Sequence, residues 1–186
     1  MDSPKTLTDQ HPLPKLIIFD LDYTLWPFWI DTHPTPPLSL VPSTTPPTLH
    51  DAIATPYPLF PATLPLLTHL SAAAGIKLAV ASRTHTPALA LQALDLYGLR
   101  QFFDFTEIYP GSKLKHMRRL REKSGVEFRD MLFFDDEPRN RDVCGLGVWF
   151  VIVGDEGVDC GLIDEGVRRW RRDRGFEGAG EGEEVV

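Results

Sequence analysis

Lys15-Leu16-Ile17-Ile18-Phe19-Asp20-Leu21-Asp22-Tyr23-Thr24-Leu25-Trp26 changes character at its midpoint. Leu16 to Phe19 are apolar without alternation, the pattern of a short strand buried on both faces in a parallel sheet. Polarity then switches on with two aspartates one residue apart, as it does where a parallel strand leaves the core for a loop. In open α/β sheets, ligands bind outside the carboxyl ends of the strands. Side chains two apart on a strand point the same way and can converge on one site. Two carboxylates so placed repel each other unless a cation lies between them. The stretch therefore reads as a hard-cation site that also carries a nucleophile and an acid/base.

Strands and helices alternate through most of the remaining chain, as in a parallel α/β sheet. Pro27 to Pro61 interrupts the pattern. It is crowded with Pro and Thr, as in Pro34-Thr35-Pro36-Pro37 and Thr44-Thr45-Pro46-Pro47. Proline removes ladder donors and breaks helices, so this stretch predicts a long flap with an ordered aromatic opening, Trp26-Pro27-Phe28-Trp29, and a mobile middle. Beyond it the sequence predicts a helix over 62–74 ended by Gly75, a strand over 76–81, and a helix from Pro87 to Tyr97 stopped by Gly98. Short apolar runs predict strands at 105–109, 131–134 and 148–153. A basic helix to about Lys123 follows Pro110-Gly111-Ser112-Lys113, and a short helix follows Pro138. Leu162 to Trp170 has an amphipathic pattern with Leu162, Ile163, Val167 and Trp170 on one face.

Composition sets the outer bounds. The 186 residues fit one domain with a substantial core. The expected divisions are a flexible N-terminus over 1–13, a folded domain over 14–174 with its flap at 27–61, and a disordered acidic tail over 175–186. A net charge of -7 argues against a general nucleic-acid binder. Two cysteines without a CxxC pair suit a reducing compartment and offer no zinc site. No signal-peptide pattern opens the chain, and no apolar run approaches the roughly 18 residues a membrane helix needs. A soluble, monomeric protein of the cytoplasm or nucleus, with neither nucleic acid nor membrane as partner, is the expectation.

Polar residues cluster in the order D-x-D, S-R-T, G-S-K, D-D at three strand ends and one strand-to-helix turn. In this the sequence resembles the haloacid dehalogenase superfamily. The stretches DLDYTLWPFW, ASRT, YPGSK and FFDDE are similar to the eukaryotic magnesium-dependent phosphatase family, over about Lys15 to Val153. The resemblance implies a Rossmann-like, mainly parallel five-stranded α/β sheet, with the first strand between those carrying Ser82 and Asp135. A small flap stands in place of a full cap domain. It also implies a phosphatase of phosphate monoesters, with protein phosphotyrosine or sugar phosphates as substrate classes.

The residue types suit that chemistry. An anion must attack an anion, so a catalyst has to neutralise charge and align a nucleophile. Asp20 is the candidate nucleophile, forming an aspartyl-phosphate. Asp22 is the candidate acid/base, protonating the leaving oxygen and then activating water. Mg²⁺ prefers oxygen ligands. The resemblance implies that Asp20, the backbone carbonyl of Asp22, and Asp135 or Asp136 supply them. Ser82, Arg83 and Lys113 are the candidate phosphate-binding residues. Plainer readings stay open: Asp135-Asp136 as caps before Pro138, Ser82 as a turn residue, and Lys113 as one more solvated cation on a basic helix. Asn140 is a candidate for orienting Asp136, and His33 for lining a pocket with Trp29. A reading from another class is a binding module, with the Pro-rich flap docking as polyproline II on an aromatic groove.

Overall fold

A computed structural model describes residues 3–176. In it the chain runs from β1 (Leu16–Phe19) through three short strands, β2 (Ser39–Val41), β3 (Thr48–His50) and β4 (Pro56–Pro58). It continues through α1 (Thr63–Ala72), β5 (Lys77–Ser82), α2 (Pro87–Leu96), β6 (Phe105–Ile108) and α3 (Lys113–Ser124). Then come β7 (Met131–Asp135), a 3₁₀ helix (Pro138–Leu146), β8 (Trp149–Ile152) and α4 (Cys160–Arg174).

The main sheet is parallel throughout, in the order β6-β5-β1-β7-β8. β1 lies at its centre and β5 and β7 flank it, the arrangement the resemblance implies. Register aligns Phe19 with Val80 on one side and Phe134 on the other, so the strand ends carrying Asp20, Ser82 and Asp135 emerge together. Alternation then sorts the core. Ile17 and Phe19 face side chains of α1, α2, α4 and the flap, while Leu16 and Ile18 face Met117 and Leu120 of α3. All four are fully buried, each contributing about 1.5–3 kcal/mol by leaving water. Gly166 lets α4 lie against the sheet; a Cβ there would meet Phe134 at 3.0 Å and Val151 at 3.1 Å.

The flap departs from expectation. Its middle is a three-stranded antiparallel sheet, β2-β3-β4. Pro56 and Pro58 are tolerated because β4 is an edge strand, where alternate residues direct their nitrogens away from the partner. Leu49 is fully buried, and Tyr57 beside it is nearly so. Tyr57 Oη donates to His33 O at 2.9 Å, and Tyr97 Oη from α2 donates to Tyr57 O at 2.6 Å. Asp51 gathers the backbone N–H groups of Thr35, Ile53 and Thr55 at 2.9–3.1 Å.

The N-terminal segment also differs from the expectation of a flexible lead. Lys5–Leu7 forms a 3₁₀ turn on α4. The Asp164 carboxylate accepts from the N–H groups of Lys5 and Thr6 and from Thr6 Oγ1. Arg171, 2% exposed, pairs with Asp9 and donates to the carbonyls of Thr6 and Pro12. At the other end Gly175 caps α4 and Phe176 packs on Trp170; the remainder of the expected acidic tail lies outside the described residues. Among the described residues no helix is long and apolar enough to cross a membrane.

Candidate active site

A cavity of about 310 Å³ opens at the carboxyl ends of β1, β5 and β7, and Asp20, Asp22, Ser82, Arg83, Lys113 and Asp136 all line it. Asp135 lies directly beneath, fully buried.

Lys113 binds the floor together. It is the first residue of α3, a helix capped by Ser112, whose Oγ accepts from Leu114 N. That start aims the side chain inward, where it is 1% exposed. Its Nζ lies 2.7 Å from Asp20 Oδ1 and 2.9 Å from Asp135 Oδ2, and it also donates to the Ala81 carbonyl. A solvated lysine is thereby excluded. Burial alone would lower the Lys113 pKa, but the two carboxylates outweigh it and raise it, so the ammonium stays charged.

Asp20, Asp135 and Asp136 bring carboxylate oxygens within 4.8 Å of one another. Three carboxylates against one ammonium leave a formal charge of -2. The donors are all hard oxygens, and a divalent cation balances the charge, so the cluster fits Mg²⁺. Without such charge the acids resist ionisation. Burial pushes Asp20 up, the charges of Asp135 and Asp22 push the same way, and Lys113 pulls against them. Burial, then the neighbouring Asp135 charge, raises Asp136 to about 6. The Asp22 carboxylate stands outside this cluster, which leaves its backbone carbonyl as the atom the resemblance offers to an ion. Burial raises Asp22 to about 7 despite hydrogen bonds from Trp26 and Ile30.

Asn140 corrects one expectation. Its Nδ2 donates to both oxygens of Asp135 at 2.9 Å, so Asp135 and not Asp136 is the carboxylate it orients. Its Oδ1 accepts from Arg83 Nη1 at 3.0 Å, which turns Arg83 toward the site. Asp135 Oδ1 also accepts the Glu137 N–H at 2.8 Å, so this acid caps the turn before Pro138 as well as joining the cluster. Ser82 is 2% exposed, and its Oγ accepts the Thr84 N–H at 3.3 Å, closing the turn after β5.

The roof comes from the flap and the loop after β5. Trp29 lines the cavity, 48% exposed, with its ring against Tyr23 at 5.2 Å and His33 at 5.4 Å. His33 thus supports Trp29 and does not line the cavity. Asp31, Thr84, His85, Glu137 and Arg139 also line it and were not singled out by sequence. Thr84 and Glu137 close the ASRT and FFDDE stretches and Asp31 lies two residues beyond Trp29, which is the signal for these three; His85 and Arg139 carried none. His116 lies in the core beside the site: it stacks on Tyr109 at 4.2 Å, and its ring nitrogens face the carbonyls of Ser82, Tyr109 and Ser112.

Comparison with known proteins agrees with this geometry. The family model described as Acid Phosphatase matches residues 12–173. The chain is 41% identical over 161 residues to human "Magnesium-dependent phosphatase 1", covering 86% of this chain and 89% of that protein. It is 42% identical over 148 residues to a HAD-like hydrolase superfamily protein of Schizosaccharomyces pombe, covering 74% and 84% respectively. A HAD-superfamily hydrolase from Ehrlichia chaffeensis shares the fold at TM-score 0.58 and 13% identity, over 82% of this chain and 97% of that one. The N-terminal part of a Bacteroides fragilis protein, containing a phosphatase domain, matches at TM-score 0.52 and 14% identity, over 96% and 44%. With its strand order, buried lysine and acid cluster alike in keeping, the chain belongs to the acid phosphatase family, within the haloacid dehalogenase superfamily of hydrolases.

Proposed function

We propose that this magnesium-dependent phosphatase hydrolyses phosphate monoesters through an aspartyl-phosphate on Asp20, with protein phosphotyrosine or sugar phosphates as substrate classes. One observation carries the reading: Asp20, Lys113 and Asp135 form a buried charged row at the foot of the cavity, with Asp22 at its wall.

The residues divide the work. Asp20, Asp135 and Asp136 would hold Mg²⁺, with the Asp22 carbonyl; the ion supplies positive charge for the phosphoryl oxygens and the nucleophile. Lys113 neutralises the attacking carboxylate. It is anchored by Asp135 and the Ala81 carbonyl, so no reorganisation is needed when charge develops. Ser82 and Arg83 bind phosphoryl oxygens from the β5 side. Burial raises Asp22 to about 7, which favours its protonated form where the leaving oxygen needs a proton. It returns as base when water attacks the aspartyl-phosphate.

The binding-module reading finds little support in the flap. The Pro-rich stretch is tied back onto the β3–β4 turn, with Thr35 N donating to Asp51 and Ala52 N donating to Thr35 O. Pro34 and Leu38 are buried and anchor the stretch at both ends, while Pro36 and Pro37 between them stay exposed.

Hydrolysis of an aryl phosphate by wild type and by Asp20→Asn, with Mg²⁺ and with excess EDTA, tests the proposal. Activity that requires Mg²⁺ and is lost in the variant is expected. Metal-independent activity, or substantial turnover by Asp20→Asn, would remove the mechanism.

A further inference from the structure

The Asp22 carboxylate is held by the flap opening, while the other acids are held by the sheet. Its Oδ1 accepts two hydrogen bonds, 2.7 Å from the Trp26 indole Nε1 and 3.1 Å from the Ile30 backbone N. Among the described residues no donor reaches Oδ2. The two oxygens are therefore unequal. An oxygen already accepting two N–H groups has its lone pairs committed, and a proton placed on it would meet a donor. The proton of the neutral acid belongs on Oδ2.

Trp26 is rigidly placed to enforce this. It is fully buried, stacked on Phe28 at 5.6 Å and against Tyr97 at 5.8 Å. Tyr23 N donates to Trp26 O at 2.8 Å, closing the turn between acid and indole. A buried indole N–H needs some acceptor, and a backbone carbonyl would serve. Here the acceptor is a carboxylate that lines the cavity.

We propose that Trp26 is a positioning residue, whose indole N–H acts with the Ile30 amide to fix Oδ2 of Asp22 as the oxygen that delivers the proton to the leaving group. The inference rests on Asp22 being the general acid proposed above. An Asp20 oxygen bonds to phosphorus as the bond to the leaving oxygen breaks, and the Oδ2 proton passes to that oxygen. Water then attacks the phosphorus of the aspartyl-phosphate and gives a proton to Oδ2. Inorganic phosphate departs with the Asp20 carboxylate restored. Without the indole donor the carboxyl group can turn, and the proton is no longer aimed.

Proton delivery matters most for a basic leaving group: nitrophenolate departs largely unaided, and an alkoxide does not. The test compares kcat/KM, which covers the steps through leaving-group departure, for 4-nitrophenyl phosphate and a simple alkyl phosphate. Wild type is set beside Trp26→Phe and a protein with 3-benzothienylalanine at position 26. The latter keeps the bicyclic shape and replaces N–H by sulfur. In both variants the alkyl-to-aryl ratio is expected to fall by about tenfold or more, with Mg²⁺ affinity by calorimetry unchanged. The ratio does not depend on the folded fraction of a preparation, so lost stability cannot imitate it. An equal loss on both substrates, or no loss, overturns the positioning role and leaves the phosphatase reading standing. Inactivity of wild type on both esters in Mg²⁺ overturns both.

Discussion

Asp20 and Asp135 hang from strands buried on both faces and Lys113 from the buried side of α3, whereas Trp29 and Asp31 reach the same cavity from a proline-rich flap with a single small sheet. The floor groups are paired through Lys113 inside the protein, with negative charge in surplus, and have almost no contact with water. Flap groups are fixed by backbone hydrogen bonds, as Asp51 shows with three N–H donors. Charge chemistry is thus assigned to the rigid part, and access and shape to the part that can vary without disturbing the charges.

The strongest way to break this division is at the nucleophile. Asp20→Asn is expected to lower turnover by about 10⁴ or more, since no neighbouring group replaces a lost nucleophile. In EDTA the variant is expected to melt no lower than wild type, because it removes a carboxylate from a cluster with surplus negative charge. A melting temperature well below wild type would mean that Asp20 is structural.

Lys113→Met comes next. Turnover is expected to fall by about 10²–10³. Urea denaturation in EDTA is expected to show a loss of about 3 kcal/mol, because two buried carboxylates lose their partner, and Mg²⁺ should restore part of it. Wild-type stability without metal would show that the buried pairs in the structure carry no net weight.

Asn140→Ala probes the layer behind the ligands. Removing groups that orient a metal-binding carboxylate typically costs about 10–100-fold in metal affinity. Calorimetry with Mg²⁺ is expected to show that loss, with Asn140→Asp failing to restore it because a carboxylate cannot donate to Asp135. Unchanged affinity would reduce Asn140 to a packing residue.

What was legible in the chain follows the same division. Leu16 to Phe19 and Met131 to Phe134 announce themselves because a strand buried on both faces must be apolar throughout. The polar residue that ends each run is then visible as a site. The flap sheet was hidden because Pro56 and Pro58 argue against a strand, and only its edge position makes them acceptable. The docked N-terminus was hidden because Asp164 and Arg171 on α4 look like ordinary surface charges of an amphipathic helix. Pairing across 158–165 residues leaves no local trace. Asn140 was assigned to the wrong neighbour for a similar reason: Asp135 and Asp136 are adjacent, and sequence does not say which of the two meets the side chain from the 3₁₀ helix.

Stability mutations sharpen the comparison within the flap itself. Leu49→Ala, at a fully buried position, is expected to cost about 2–4 kcal/mol. Leu40→Ala, opposite it in register but 46% exposed at the sheet edge, is expected to change stability by less than about 0.5 kcal/mol. Equal costs in chemical denaturation would mean that the small sheet packs differently from its register.

The finest distinction lies in the sign of the pH dependence without metal. Carboxyls at the end of the main sheet are raised, Asp136 on the floor and Asp22 at the wall: burial first, with like charge added, puts Asp22 at about 7 and Asp136 at about 6, against 3.8 for a free aspartate. Between 3.8 and those values the folded chain binds more protons than the unfolded one, so the stability they contribute is fully present at the acid end and lost as pH rises through about 6 to 7. Flap carboxyls are lowered: burial opposes the shift, but hydrogen bonds from Thr32, His85 and Thr84 to Asp31, and from Thr35, Thr55 and Ile53 to Asp51, outweigh it. Their contribution is present above 3.8 and lost only as pH falls below it. In EDTA, then, the melting temperature is expected to decline as pH rises through neutrality. Mg²⁺ is expected to flatten or reverse that decline, because it favours the charged floor. Hydrogen exchange at the Thr35, Ile53 and Thr55 amides, corrected for intrinsic rates, should stay level over the same range and lose protection only in acid. A flap that loosened together with the floor near neutral pH would show that the two regions unfold as one unit, and the division of labour between them would not hold.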